Sequence, residues 1–167
     1  MILLQTALLM EKRNTQMSSA FIVTQHMMNS TIIKRKGAIL NAISSLESKD
    51  PKLTQFIKPY QQGHFPVKML FDTTFQNLYQ AGEKMILVVD NEVIFKNCEI
   101  NPDILLLRNS PKINLERLLN LFHPEIVVSD GSNFSSYAKR WKDSCEKLGI
   151  KFHDTYLNGA FVYTYSP

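Results

Sequence analysis

The spacing of apolar and polar residues predicts a first half built mainly of β-strands. Short runs rich in isoleucine, valine and threonine are separated by Asn29-Ser30 and by Gly37, which is typical of a β-meander. The predicted strands are AFIVTQHMM, STIIKRK, AILNAIS, KMLFD, FQNLYQA and EKMILVVDNEVIF. Between the third and fourth strands, Asp50 followed by Pro51 predicts the start of a short helix, which Pro59 would end.

From Ile104 the pattern changes to alternating strands and helices. The run ILLLRN is continuously apolar, as in a strand buried on both faces, and EIVVSD, KFHDT and AFVYTY are the later predicted strands. Asn114 suits the cap of a helix that Pro124 stops, and a second helix after Asn133 should end at Gly149. The two helices are expected to bury Leu115, Leu118, Leu119 and Phe122, and Phe134, Tyr137, Trp141, Cys145 and Leu148.

These elements predict an α/β (α+β) layered fold. A β-meander N-terminal half is followed by a βαβαββ unit, with a mixed sheet and flanking helices. The length of 167 residues suits one domain, and 44% hydrophobic with 20% charged residues is ordinary for a globular protein. The net charge of +4 is compatible with a polyanionic partner but does not require one. Cys98 and Cys145 match no metal or redox spacing, and whether they pair is left open.

The first 15 residues differ in character from the rest of the chain. An apolar run is followed by Lys12 and Arg13, and it is too short to span a bilayer and lacks a signal-peptide cleavage site. Residues 1–15 are therefore either the end of a membrane helix or linker, or a first strand. Residues 16–167 are predicted to form a single domain.

Polar residues follow two of the predicted buried strands, a common place for a site in α/β proteins. Asp130 could bind a metal or act as a base, while Ser132, Asn133 and the next helix's first N–H groups could hold a phosphate. The turn chemistry favours a simpler interpretation, a glycine turn with Ser132 or Asn133 as N-cap, and the two do not exclude each other. If the turns after both strands are neighbours, the candidate pocket contains Arg108, Asn109, Ser110, Asp130, Ser132 and Asn133.

Two groups of basic residues are candidate DNA contacts. Lys34, Arg35 and Lys36 lie in a predicted β-hairpin, and Lys139 and Arg140 lie on the second long helix. Such runs are usually solvated faces, so DNA contact is a hypothesis here.

An aromatic pair on the second long helix allows two interpretations. Tyr137 and Trp141 are one helical turn apart, which suits base stacking but is more typical of a core. Standard catalytic motifs give no further guidance, because the chain contains no Ser-His-Asp or Cys-His arrangement, Gly-rich phosphate loop or zinc-finger spacing.

The stretch PDILLLRNSPKINLERLLNLFHPEIVVSDGSNFSSYAKRWKDSCEKLGIKFHDTYLNGAFVY, residues 102–162, resembles the C-terminal part of ComEC-type competence proteins. These are membrane channels that carry transforming DNA across the inner membrane. In many relatives this domain has a metallo-β-lactamase fold and is a proposed nuclease. The resemblance extends back to about residue 20. FQNLYQAGEKMILVVDN has the layout of a later strand pair of the family that ends in a metal-ligand aspartate, which would fall at Asp90. It therefore implies a metallo-β-lactamase-like domain over most of the chain.

Apart from Asp90, which alone cannot hold a catalytic pair of metals, the metal-ligand motifs of those relatives are missing from this chain. Metal-bearing members carry T-H-x-D-x-D-H, which supplies ligands for two metals, and no H-x-H-x-D-H occurs here. Arg108-Asn109-Ser110 stands where the family has the His-His-Gly of K-V-x-H-H-G-S. The histidines are scattered, at His26, His64, His123 and His153.

The resemblance implies a domain of a DNA-uptake protein acting in natural transformation. It is expected to be associated with the inner membrane, on a side that the sequence does not specify. Its expected partners are DNA and the membrane channel portion of the same protein. No catalytic residue, metal or small-molecule cofactor is expected. The alternative is a metal-dependent nuclease or phosphodiesterase with a rearranged site around Asp90, Asp130 and Asn109.

Overall fold

The computed structural model describes residues 19–24, 31–37, 39–44, 46, 49–53, 55, 57, 68–90 and 100–166. Residues 51–53, 55 and 57 are helical. The strands are β1 (Ser19–Val23), β2 (Thr31–Lys36), β3 (Ile39–Ser44), β4 (Lys68–Asp72), β5 (Leu78–Ala81), β6 (Lys84–Val89), β7 (Ile104–Leu107), β8 (Ile126–Ser129), β9 (Lys151–Asp154) and β10 (Phe161–Tyr165). The remaining helices are α1 (Leu115–Phe122), α2 (Ser135–Lys147) and α3 (Thr155–Asn158).

The strands form two five-stranded mixed sheets. Sheet 1 has the order β10-β1-β2-β3-β4, and sheet 2 has the order β5-β6-β7-β8-β9. In sheet 1, β1, β2 and β3 form the predicted antiparallel meander, and β4 runs parallel to β3. In sheet 2, β6 to β9 are parallel neighbours, and β5 pairs with β6 in the antiparallel direction. Helix α1 joins β7 to β8 and helix α2 joins β8 to β9, as expected of parallel strands.

The two sheets pack against each other, and helices cover their outer faces. Phe21 and Ile32 of sheet 1 share one buried cluster with Ile86, Leu106 and other residues of sheet 2. The opposite face of sheet 2 packs on α1 and α2, and the opposite face of sheet 1 packs on the helical residues near position 53. The layers are therefore helix, sheet, sheet, helix. Central strands such as β1 and β7 alternate their side chains between the cluster between the sheets and the cluster under the helices.

The local start and stop signals for the helices are mostly confirmed. Asp50 Oδ1 accepts a hydrogen bond of 2.8 Å from the Lys52 N–H, and Asn114 Oδ1 accepts one of 3.0 Å from the Arg117 N–H. Helix α1 buries the predicted face of Leu115, Leu118, Leu119 and Phe122. The predicted end at Pro59 and residues 1–15 lie outside the described residues.

The predicted α/β (α+β) layered fold with mixed pairing and flanking helices is confirmed. The structure adds that the strands divide between two sheets and that β10 pairs with β1, with Phe161 opposite Val23. One part of the prediction is corrected. On α2, Trp141 and Cys145 are buried as predicted, but Phe134 is 67% exposed and Leu148 is 41% exposed. Both exposed residues lie just beyond the ends of α2, where the 3.6-residue periodicity of the helix no longer sets the side-chain direction.

Cys145 is a free thiol in the core, and we expect it to be chemically inert in the folded protein. Burial, together with the nearby Glu146, raises the pKa of the Cys145 thiol to about 12, so the reactive thiolate is scarce at mildly alkaline pH. In a Cys98→Ser variant, iodoacetamide should leave Cys145 unmodified in native buffer and modify it fully in denaturing guanidinium chloride, as measured by intact mass. Rapid labelling of the native protein would contradict this burial.

Candidate functional site

The site lies at the carboxyl edge of sheet 2, where parallel strands end side by side. The register pairs Val89 with Leu107 and Leu107 with Ser129. The residues that follow, Asp90, Arg108 and Asp130, therefore emerge next to one another. Backbone hydrogen bonds of 3.1 Å from the Arg108 N–H to the Val89 carbonyl and from the Asp130 N–H to the Leu107 carbonyl hold this edge together.

The turn after β7 is bound directly to the turn after β8. The Asn109 N–H donates to Ser132 Oγ at 2.8 Å, and the Ser110 N–H donates to Asn133 Oδ1 at 2.7 Å. Both Asn109 and Ser110 have left-handed backbone conformations, with φ of 58° and 51°. Asparagine tolerates such a conformation better than serine does, so the cost is larger at Ser110, and the hydrogen bonds across the two turns compensate for it.

Asn133 is the centre of this hydrogen-bond network. Its Nδ2 donates to the Leu107 carbonyl at 2.7 Å and to Ser129 Oγ at 3.1 Å, while its Oδ1 accepts from Ser110. Asp130 Oδ1 accepts from the N–H and the hydroxyl of Ser132, at 3.0 and 2.5 Å. The polar side chains of the two turns thus bond mainly to each other.

The expectation that Ser132 or Asn133 caps the following helix is wrong. The N-cap of α2 is Phe134, whose own side chain makes no capping hydrogen bond. Instead, Ser110 Oγ from the neighbouring turn accepts a hydrogen bond of 2.8 Å from the Phe134 N–H. The start of α2 is therefore stabilised from the turn after β7, across the sheet edge, and Asn133 is used to bridge the two turns.

Arg108 is a buried cation of the site, as Asp130 is a buried carboxylate. It is 5% exposed, and its Nε lies 3.5 Å from Asp90 Oδ2. The centre of its guanidinium lies 3.4 Å from the ring centroid of Phe75, a stacking contact that no pattern in the sequence predicts. Asn109 Nδ2 donates to both oxygens of Asp90, at 3.2 and 3.0 Å. Asp90, Arg108 and Asn109 thus form one charged cluster.

The pKa of the Arg108 guanidinium is subject to opposing influences. Burial lowers the pKa of its guanidinium, while Asp90, Asp130 and Tyr79 act to raise that pKa. An arginine side chain remains protonated in proteins even when its pKa is lowered. The edge of sheet 2 therefore contains a permanent positive charge next to two carboxylates.

A cleft of about 360 Å³ opens beside the network, on the α2 side. It is lined by Gly131, Asn133, Phe134, Ser135, Ala138, Asp154 and Tyr156. Of the residues predicted for the candidate pocket, Asn133 lines this cleft. The turns after β7 and β8, which carry the others, are bound to each other as described above. The sequence analysis did not select Asp154 and Tyr156, which line this cleft. Asp154 ends β9, and Asp130 follows β8. A polar residue at the carboxyl end of a strand is thus the signal that could have identified Asp154.

The candidate DNA contacts fall in different layers of the fold. Lys34 and Lys36 point to one face of β2 and Arg35 to the other, because side chains alternate along a strand. Lys34 Nζ lies 5.3 Å from the ring centroid of Tyr79, and Arg35 Nε donates to the Gly37 carbonyl at 3.2 Å. Of the three, only Lys36 is exposed.

The second basic group lies on the outer helix layer. Lys139 and Arg140 are exposed on α2, with the Arg140 guanidinium 4.8 Å from the ring centroid of Tyr137. Trp141 is buried in the core cluster that α2 shares with sheet 2, so the stacking platform of Tyr137 and Trp141 is not formed. The basic residues therefore make two separate groups.

Comparison with known proteins decides the family. The family model described as ComEC C-terminal domain matches residues 21–165, which is most of the chain. The chain belongs to the ComEC C-terminal domain family. This membership gives it a role in competence DNA uptake, and ComEC proteins are membrane proteins. No curated protein and no solved structure matches the chain.

The ComEC domain has no helix, within the described residues, that is long and apolar enough to cross a membrane. The described ranges also contain no group of three or more histidine, cysteine, aspartate or glutamate side chains arranged to hold a metal ion. His123 ends α1, His153 bonds to the Gly159 carbonyl, and His26 and His64 lie outside the described residues.

The side chains at the positions where the resemblance implies metal ligands do not fit a metal ion. A divalent metal needs converging oxygen, nitrogen or sulfur ligands and repels a cation beside them. Next to Asp90 the ComEC domain has instead the guanidinium of Arg108 and the amide N–H groups of Asn109. These groups are donors, which satisfy a carboxylate but cannot coordinate a metal.

Proposed function

We propose that this domain contributes to DNA uptake by contacting DNA, without cleaving it. The observation that carries the proposal is the engagement of Asp90 by Arg108 and Asn109, at 3.5 Å and 3.0 Å, in the positions where metal-bearing relatives have ligands. A hydrolase of that type needs a metal-activated water at this point. With donor groups in these positions, the site lacks the means to generate such a nucleophile.

The arrangement of layers supports a metallo-β-lactamase-like origin for the fold. Two packed mixed sheets with helices on both outer faces agree with the layout that the resemblance implies. The altered site is at the carboxyl edge of the parallel strands, where ligands bind in α/β folds. We propose that the fold was retained while its hydrolytic centre was converted into a structural network.

The exposed basic residues are the proposed DNA contacts. Lys36 on β2 and the pair Lys139 and Arg140 on α2 present their charges to solvent, where they can neutralise phosphates. The other proposed partner is the membrane channel portion of the same protein, which would hold the domain at the inner membrane. Because the two basic groups lie in different layers, each is tested separately.

The test is a gel assay with purified protein and labelled single- and double-stranded DNA, in Mg²⁺, Mn²⁺ or Zn²⁺, beside an Asp130→Ala variant. We expect a shifted, intact band with every metal. Metal-dependent cleavage that disappears in Asp130→Ala would overturn the proposal and favour the alternative nuclease or phosphodiesterase at Asp90, Asp130 and Asn109.

Charge variants identify the DNA-contacting group. Lys139→Ala/Arg140→Ala and Lys34→Ala/Lys36→Ala each remove two positive charges, and Lys112→Ala/Lys151→Ala, at two exposed positions elsewhere, is the matched control. Mutation of a group that binds DNA should weaken the affinity about tenfold, and the slope of its logarithmic salt dependence should fall by about 0.9 for each duplex phosphate that is no longer neutralised. If all three variants bind like the wild type, the domain does not use these residues to hold DNA.

A further inference from the structure

The charged cluster of Asp90, Arg108 and Asn109 contains a buried arginine, and the absence of metal ligands does not by itself explain why a cation lies there. Arg108 is 5% exposed, and a buried charge is costly unless it is paired. Its Nε makes an ion pair with Asp90 at 3.5 Å but has no hydrogen-bond partner among the described residues. At Nε, therefore, the contact with Asp90 is an ion pair and not a hydrogen bond.

We propose that the Arg108 guanidinium is a fixed internal cation that takes the place of a bound metal ion in holding the carboxylates at the edge of sheet 2. It emerges from β7, the strand between the two that lead into Asp90 and Asp130. Without a positive charge here, those two carboxylates would repel each other as the strands bring them together.

The surroundings of Arg108 suit a guanidinium better than a metal ion. The face of the Phe75 ring covers it at 3.4 Å, and a flat delocalised cation stacks well on an aromatic face. A divalent ion would need oxygen or nitrogen ligands or water on that side. Burial lowers the pKa of Arg108, whereas Asp90 and Asp130 act to raise it, as expected of a cation close to both carboxylates.

The role of Arg108 as a fixed cation is independent of DNA contact, because it concerns what stabilises the site and is tested by thermal unfolding. Either property can be absent while the other is retained. The melting temperature of the wild type should be unchanged by EDTA and should shift by less than about 2 °C with Mn²⁺ or Zn²⁺, since Arg108 already supplies the positive charge at the site.

The decisive variant is Arg108→Met, which keeps much of the side-chain length and removes the charge. Its melting temperature should fall by about 10 °C, because breaking a buried pair leaves uncompensated carboxylates. Mn²⁺ or Zn²⁺ should then restore several degrees by replacing the lost charge. The matched control is Arg117→Met on the exposed side of α1, which should change the melting temperature by about 2 °C or less.

A second carboxylate variant and a charge-conserving variant complete the experiment. Arg108→Met/Asp90→Asn should regain part of the lost melting temperature and lose the response to metal. Arg108→Lys should be more stable than Arg108→Met, and this comparison decides the case if Arg108→Met does not fold. A wild type that is stabilised by Mn²⁺ or Zn²⁺, or an Arg108→Lys no more stable than Arg108→Met, would overturn the proposal.

Discussion

Replacing Trp141 with alanine should lower the free energy of unfolding by about 4 kcal/mol, one of the two largest single effects expected in the described part of the chain. Trp141 is 1% exposed and joins α2 to the outer face of sheet 2, in a cluster with Leu105, Leu107 and Leu119. Its ring also packs edge-to-face on Tyr137, with centroids 5.6 Å apart. The variant removes this aromatic packing and leaves a cavity that the surrounding strands cannot fill.

The control for this prediction is Trp141→Phe. The indole N–H of Trp141 is buried without a hydrogen-bond partner among the described residues, so phenylalanine loses volume but no hydrogen bond there. A cost of roughly 1.5 kcal/mol is expected. Since Trp141 is the single tryptophan, urea unfolding should be followed by far-UV circular dichroism. Equal stability of the two variants would mean that the cavity does not determine the cost.

Replacing Asn133 with alanine should lower the free energy of unfolding by about 2.5 kcal/mol through the loss of several hydrogen bonds. The variant leaves the Ser110 N–H without its acceptor and removes the amide donors to Leu107 and Ser129. The strained conformations of Asn109 and Ser110 then lose their main support. Urea unfolding measures the difference.

Asn114→Ala is the matched control, because it removes the same type of side chain from a simple helix cap. That cap makes one hydrogen bond of 3.0 Å at an exposed position, and its loss should cost about 1 kcal/mol. If Asn133→Ala is no more destabilising than Asn114→Ala, the two turns are not held together by the Asn133 network, and their packing alone positions them.

Elements with local signals were predictable from the sequence. The strands β2 and β3 and the helix α1 follow from alternation, from Gly37 and from the Asn114 cap, all of which act within a few residues. The division into two sheets was not predictable from local signals, because β10 pairs with β1 from the far end of the chain. Strand pairing of this kind depends on tertiary packing, which no local pattern encodes.

The neighbourhood of the site was predictable, but the use of its side chains was not. Parallel strands of similar length place Asp90, Arg108 and Asp130 at one edge, as the order of elements implied. Local rules assigned the cap of α2 to Ser132 or Asn133, whereas the N-cap is Phe134, whose N–H donates to Ser110 of the preceding turn. Likewise, Arg108 stacks on Phe75, which comes from a distant segment of the chain, and no sequence pattern predicts this contact.

The pairing of β10 with β1 also has a consequence for how the chain acquires its structure during synthesis. Sheet 1 keeps an open edge along β1 until residues 161–165 have left the ribosome, since these provide its last strand. Pairing between such distant segments is slow, and an unpaired edge favours association with other chains. We therefore expect nascent chains that stall before β10 to be prone to aggregation, although all of sheet 2 has already been made.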